Sequence, residues 1–155
     1  IGGWGYLLGD EGGGYWIGRE AIRHAMSDIE TKAEFISGSL TSQILSVIGG
    51  KDWSSVKSFV YSQDRSVIAA LSTLVDTSAN AGDVDAIRII RKAAGHLAYL
   101  VKRMDDSLTE ASLPVKFTGG ISRSTILYQE LERIVPKRIS VSTIDIAQRA
   151  AQLAG

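Results

Sequence analysis

The sequence predicts an α/β fold with a large helical portion, and three observations indicate it. Apolar residues recur at helical spacing through most of the first 105 residues. A short β-prone run at 113–118 then precedes the pair Gly119-Gly120 and another helical pattern. The 155 residues contain no internal repeat and no linker-like segment. This length is typical of one domain and is sufficient to bury a core.

Five helices are predicted before the β-prone run. Their expected ranges are 15–30, 41–48, 53–61, 65–79 and some 22 residues from about 84. Gly49-Gly50 is expected to end the second helix, and Gly82-Asp83 to separate the fourth from the fifth. The fifth helix would be about 33 Å long at 1.5 Å per residue, enough to cross a whole domain face.

The last third of the chain predicts a strand, a glycine turn, a helix and a second strand. Ser122 is the expected N-cap of that helix, and Pro136 is expected to end it. Residues Ile139–Val141 predict the second strand, and 144–154 predict a small closing helix. The Gly119-Gly120 pair suits close approach of a nucleotide or phosphate, but the pair on its own is a weak signal and favours a plain tight strand-to-helix turn. Neither standard glycine-rich phosphate-loop pattern is present there.

The composition excludes several classes of function. Lys plus Arg and Asp plus Glu both number 17, so the net charge gives no indication of a nucleic-acid partner or an acidic membrane. The absence of cysteine excludes disulfides and thiolate metal sites. Neither His24 nor His96 is part of an H-E-x-x-H type pattern, so no metal site is predicted. With no apolar run of about 18 residues and no secretion signal, a soluble cytoplasmic protein is expected.

Glycines are concentrated at the start of the chain, where eight of the 16 fall within the first 18 residues. Such a segment at the mouth of a helix can bring a ligand close to the backbone. The carboxylate of Asp10 could accept hydrogen bonds from polyol hydroxyls, or it could simply cap the following helix. Because the chain opens directly into this segment without a methionine, we expect a fragment of a longer protein.

The opening segment is more specific as a whole than its parts. Residues 2–18, GGWGYLLGDEGGGYWIG, closely resemble the G-G-W-G-x-x-x-G-D-E-G-S/G-x-x-x-I-G signature of the N-acetylglucosamine kinase family. This family is also called the BadF/BadG/BcrA/BcrD ATPase family. Residues 115–122 resemble its V-x-x-x-G-G-[IV]-S adenosine motif, and a looser similarity covers most of the rest.

The resemblance implies a member of the superfamily of sugar kinases, actin and heat-shock chaperone ATPases. These proteins have two ribonuclease-H-like lobes with ATP and substrate in the cleft between them. Residues 1–155 would form the C-terminal lobe. The residues expected to contact the amino sugar are Gly3, Trp4, Gly5 and Asp10, and those expected to contact the nucleotide are Ala69, Gly119 and Gly120. No catalytic residue is expected here, because the phosphate loops and catalytic aspartate belong to the other lobe.

The function that the resemblance implies is an ATP-dependent kinase of N-acetylglucosamine or glucosamine, using ATP and Mg²⁺. Its expected partners are the amino sugar, ATP, its own N-terminal lobe and a second copy in a homodimer. The isolated chain should be inactive. One alternative is an activator ATPase of an acyl-CoA dehydratase or reductase, which is less favoured because those proteins hold an iron–sulfur cluster through cysteines. Another is a non-catalytic nucleotide or sugar sensor.

Overall fold

The computed structural model describes residues 1–32, 35–108, 113–136 and 138–142. In these residues the fold is mostly helical, with a small sheet, which confirms the α/β class in outline. The elements in chain order are α1 Gly14–Thr31, α2 Leu40–Ile48, α3 Trp53–Ser62, α4 Arg65–Asn80, α5 Val84–Ser107, β1 Val115–Phe117, a 3₁₀ turn Gly120–Arg123, α6 Thr125–Ile134 and β2 Ile139–Val141.

The first five helices lie within about two residues of the predicted ranges, and α2 to α5 each begin at a capping side chain. The side chains of Asp52, Asp64 and Asp83 accept hydrogen bonds from backbone N–H groups at the starts of α3, α4 and α5. Ser39 plays the same role for α2, which ends at Gly49 as expected. The predicted helix at 144–154 lies outside the described residues.

Helices α1 and α4 pack against each other at unusually close range because α1 carries glycine at two facing positions. A Cβ atom built on Gly18 would overlap the backbone carbonyl oxygen of Ile68. One built on Gly14 would lie 3.3 Å from Ser72 Oγ and 3.6 Å from the carbonyl oxygen of Ala69. Gly14 and Gly18 are therefore packing positions, one helical turn apart. The largest fully buried side chains of the described residues are Ile17, Leu40, Thr41, Ile44, Val56, Val75, Ile90 and Leu127.

The two strands form a parallel pair in which Val115 lies opposite Ile139 and Phe117 opposite Val141. The chain connects them through the 3₁₀ turn and α6, as a parallel pair requires. Both predicted strands are thus confirmed. α6 ends at Ile134, two residues before Pro136.

The predicted N-cap of α6 is wrong. The 3₁₀ turn delays the helix, so that Ser124 rather than Ser122 is the cap and its Oγ accepts from the N–H of Leu127 at 3.1 Å. The hydroxyl of Ser122 instead donates to the carbonyl oxygen of Gly119 at 2.7 Å. A serine two residues later in the chain thus takes the role that the sequence pattern assigned to Ser122.

An ion pair holds the strand unit against the end of α5. The guanidinium of Arg138 donates to both carboxylate oxygens of Asp105, at 2.6 and 2.8 Å, and to the carbonyl oxygen of Leu113 at 2.9 Å. The hydrogen bonds from Arg138 lower the pKa of Asp105. This two-pronged geometry restricts orientation as well as distance.

A second polar cluster joins α1 to α2. Asp28 is only 8% exposed, and its carboxylate accepts hydrogen bonds from Thr41 Oγ1 at 2.5 Å and Lys32 Nζ at 2.8 Å. Burial acts to raise the pKa of Asp28, but the hydrogen bonds from Lys32 and Thr41 and the neighbouring His24 outweigh it and leave that pKa below its usual range.

We expect Asp28 to contribute to the loss of stability in acid. Because its folded-state pKa is lowered, its contribution is present above the unfolded pKa of about 3.9 and is lost as pH falls through the folded value. Asp28→Asn should therefore reduce the free energy of unfolding by about 1 kcal/mol at neutral pH, and the deficit should shrink in acid. Urea unfolding at several pH values measures this. Asp106→Asn, at an exposed position, is the control. If Asp28→Asn lowered the free energy of unfolding by the same amount at every pH, the charge of Asp28 would have no role in acid stability.

Candidate functional site

The opening segment before α1 is exposed and tightly turned. Gly3 and Gly5 have φ values of +73° and +77°, and a Cβ built on either would meet no atom within 4 Å. Glycine is thus required at these positions by backbone conformation and not by crowding. The N–H of Gly9 donates to the carbonyl oxygen of Gly5 at 2.8 Å and closes the turn. This turn presents Trp4, which is 64% exposed.

Trp4 lies beside α5. The guanidinium carbon of Arg103 is 5.8 Å from the centroid of the Trp4 ring and 6.0 Å from that of Tyr99. Distances of this size allow cation–π attraction. A large exposed aromatic ring with a cation beside it forms a surface suited to binding an amphipathic ligand.

Asp10 has a backbone conformation that is uncommon for a residue with a side chain. Its φ is +58°, and its carbonyl oxygen accepts from the N–H of Gly13 at 2.9 Å. The N-cap of α1 is Gly13, and no side chain caps this helix. The interpretation of Asp10 as a helix cap is therefore wrong. Its side chain is exposed. Left-handed backbone at a non-glycine residue is costly and is concentrated at functional sites.

One face of α4 contacts the opening segment. Arg65, Ala69, Ser72 and Asp76 are spaced by four, three and four residues and so share this face, which we call the α4 face. The guanidinium of Arg65 lies 5.3 Å from the ring centroid of Tyr6. Ala69 and Ser72 lie against Gly14 at the start of α1. Of the three nucleotide-site residues that the sequence predicts, Ala69 is thus beside the glycine-rich segment.

The other two, Gly119 and Gly120, form an open turn after β1. Gly119 has φ +92° and ψ −179°, a region that is essentially restricted to glycine. Both residues are exposed, and a Cβ on either would meet nothing within 4 Å. A planar ligand can therefore approach this backbone without displacing a side chain.

The turn is attached to the α4 face at Asp76. The hydroxyl of Ser124, four residues after Gly120, donates to Asp76 Oδ1. Asp76 lies seven residues after Ala69, which is about 10.5 Å along the helix and on the same side. The opening segment therefore contacts this face at Arg65, Ala69 and Ser72, and the residue that follows the 3₁₀ turn is bonded to the same face at Asp76. The side chain of Trp4, by contrast, lies beside α5.

The residues that make these attachments, namely Tyr6, Arg65, Asp76 and Ser124, are not among those that the sequence predicts for the site. The spacing of the α4 face is visible in the sequence, but it does not reveal which other elements contact it.

The part of the chain that the structure describes has no group of three or more His, Asp or Glu side chains placed to hold a metal ion. Across those same residues, no helix combines the length and apolar character needed to cross a membrane.

A family model and several known proteins match this chain. The model of the BadF/BadG/BcrA/BcrD ATPase family matches residues 1–155. An N-acetylmuramic acid/N-acetylglucosamine kinase of Clostridium acetobutylicum is 30% identical over 139 residues, covering 86% of this chain and 45% of the kinase. An N-acetyl-D-glucosamine kinase of Dictyostelium discoideum is 33% identical over 168 aligned positions, covering 99% and 51% respectively.

A solved structure agrees with these sequence relatives. The crystal structure of a protein from Chromobacterium violaceum, provisionally named an N-acetylglucosamine kinase, superposes with a TM-score of 0.78 at 27% identity. The match covers 99% of this chain and 51% of that protein. The chain thus spans about half the length of the curated relatives that it matches.

Proposed function

Because this chain belongs to the BadF/BadG/BcrA/BcrD ATPase family, we propose that it is the C-terminal, ribonuclease-H-like lobe of an ATP-dependent amino-sugar kinase. The substrate would be N-acetylglucosamine or glucosamine. Kinase relatives from two organisms support the activity. The observation that carries the proposal is the exposed segment with Trp4 and Asp10, because it offers a large aromatic ring and a carboxylate that does not cap a helix.

The proposed sugar site consists of Gly3, Trp4, Gly5 and Asp10. A sugar offers hydroxyl donors around an otherwise apolar ring. The carboxylate of Asp10 can accept such donors, and charge-assisted hydrogen bonds are the stronger kind. The exposed ring of Trp4 can cover an apolar sugar face. Gly3 and Gly5 allow the backbone to turn sharply enough to bring both side chains to the same ligand.

The proposed nucleotide site consists of Ala69, Gly119 and Gly120. The open backbone of the glycine turn suits an adenosine, and Ala69 offers a small side chain on the α4 face. The β- and γ-phosphates would be held by the other lobe, together with the Mg²⁺ that accompanies ATP as substrate. The general base that accepts the proton of the sugar hydroxyl would also lie there, so this lobe contributes binding and orientation.

Phosphorylation by the complete two-lobed protein tests the activity. The protein should produce ADP in proportion to the amount of N-acetylglucosamine or glucosamine that it phosphorylates. Steady ATP hydrolysis that no amino sugar accelerates would contradict the kinase and favour an activator ATPase. Binding of sugar and nucleotide without any turnover would favour a sensor. The homodimer and the cytoplasmic location stay predictions.

The isolated chain should be folded and inactive and should bind adenosine and ATP with similar, weak affinity. The reason is that the glycine turn can admit the base and ribose, whereas the phosphate loops belong to the other lobe. Circular dichroism should show a mainly helical spectrum, and titration calorimetry compares the two ligands. If ATP bound at least tenfold more tightly than adenosine, about 1.4 kcal/mol, this chain would contain a phosphate site of its own.

A further inference from the structure

The hydrogen bond between Asp76 and Ser124 connects two elements that are far apart in the chain. We propose that Asp76, acting through the hydroxyl of Ser124, is a positioning residue that sets the Gly119–Gly120 turn against the α4 face for nucleotide binding. This inference rests on the nucleotide role proposed above for the turn. Asp76 itself would not touch the nucleotide.

The geometry of Ser124 leaves its hydroxyl little freedom. The side chain accepts from the N–H of Leu127 at 3.1 Å and donates its single proton to Asp76 Oδ1. Ser124 is 4% exposed. A hydroxyl has one donor, so the bond to Asp76 uses it completely. Because the acceptor is a carboxylate, the bond is of the stronger, charge-assisted kind.

The backbone hydrogen bonds of the turn itself are local. The N–H and Oγ of Ser122 both donate to the carbonyl oxygen of Gly119, at 3.1 and 2.7 Å. The N–H of Ser124 donates to the carbonyl oxygen of Ile121 at 3.1 Å. These bonds are local and fix the internal shape of the turn. The hydrogen bond to Asp76 is different, because it connects the residue that follows the turn directly to α4.

This placement explains how one nucleotide could contact residues about 50 positions apart in the chain. Ala69 and Asp76 share the α4 face. If the turn is fixed to Asp76, then Gly119 and Gly120 keep a constant distance from Ala69. Without the bond, the turn would sample other positions, and part of the binding free energy would be spent on ordering it.

The test compares Asp76→Ala with Asp76→Asn in the complete protein. The asparagine keeps an acceptor oxygen for Ser124, whereas alanine removes it. Asp76→Ala should raise KM for ATP about fivefold to tenfold, the effect of losing one such hydrogen bond. It should leave kcat and KM for the sugar nearly unchanged, and Asp76→Asn should stay close to the wild type. Asp106→Ala, which removes an exposed charge at the end of α5, is the control.

A second pair of variants separates positioning from helix capping. Ser124→Ala removes both bonds of the hydroxyl, whereas Ser124→Thr keeps a hydroxyl. If Asp76 acts through Ser124, the double variant Asp76→Ala/Ser124→Ala should have the same KM for ATP as Ser124→Ala alone. Should Asp76→Ala melt below the assay temperature, the comparison of Ser124→Ala with Ser124→Thr decides the question.

Three results would overturn the inference: an unchanged KM for ATP in Asp76→Ala, an equal loss of sugar and ATP affinity, or additive effects in the double variant. Adenosine titration of the same variants is the second readout. It does not require phosphoryl transfer, so a selective loss of adenosine affinity in Asp76→Ala supports the inference even if no sugar is phosphorylated. An inactive wild type would count against the kinase alone.

Discussion

Replacing Asp10 with asparagine should lower kcat/KM for the amino sugar about 10- to 150-fold in the complete protein. This is the expected cost of losing one charge-assisted hydrogen bond, about 1.5–3 kcal/mol, since each 1.36 kcal/mol is a factor of ten. KM for ATP should stay nearly constant, because Asp10 is not among the residues proposed to contact the nucleotide. Steady-state kinetics with each substrate varied in turn measure both effects.

The thermal stability of Asp10→Asn should be close to that of the wild type. Asp10 does not cap α1, and asparagine tolerates the left-handed backbone that this position requires. Glu11→Gln is the matched control, since it removes an exposed carboxylate one residue away. A variant with wild-type kcat/KM for the sugar would remove Asp10 from the proposed site. An equal loss in Glu11→Gln would indicate a general effect of charge.

The second large expected effect is on the free energy of unfolding. Two glycine-to-alanine substitutions should change it in opposite directions. Gly18→Ala should destabilise the fold by about 1–3 kcal/mol or more, because the new Cβ would overlap the carbonyl oxygen of Ile68 and force α1 away from α4. Gly95→Ala should stabilise it by about 0.5–1 kcal/mol, since this helical position in α5 has open space for a methyl group.

Urea unfolding of both variants tests the close approach of the two helices. The pair shares the same chemical change and the same helical setting, so helix propensity alone would stabilise both. Stabilisation of the fold by Gly18→Ala would show that α1 and α4 do not pack as closely as described.

The helices could be predicted well because their signals are local. An aspartate or serine that caps a first turn, and a glycine that ends a helix, act within a few residues of the boundary. The positions of α2 to α5 follow from such residues. The two strands were also predictable, because a β-prone run before Gly119-Gly120 and another after Pro136 bracket one helix.

The roles of individual glycines and serines could not be predicted in the same way. Gly3 allows a turn with positive φ, whereas Gly18 allows α1 to approach α4 closely. The sequence around each glycine does not show which of these roles it has. Ser122 and Ser124 both precede a helical pattern, and the 3₁₀ turn decides which of them is the cap. The link between Asp76 and Ser124 spans 48 residues, so no local pattern could reveal it. The roles of the proposed site residues stay predictions.

The three tryptophans lie in environments different enough to give this chain a built-in optical reporter. Trp16 is 6% exposed and meets the ring of His96 edge-on at 5.0 Å, whereas Trp4 and Trp53 are 64% and 58% exposed. Buried indoles emit at shorter wavelengths than hydrated ones, so the blue side of the emission band follows the integrity of the core. With Trp53 replaced by phenylalanine, the red side comes from Trp4 alone. As long as the blue side of the band is constant and the core is therefore intact, quenching by iodide would report any ligand that covers Trp4, without any added dye.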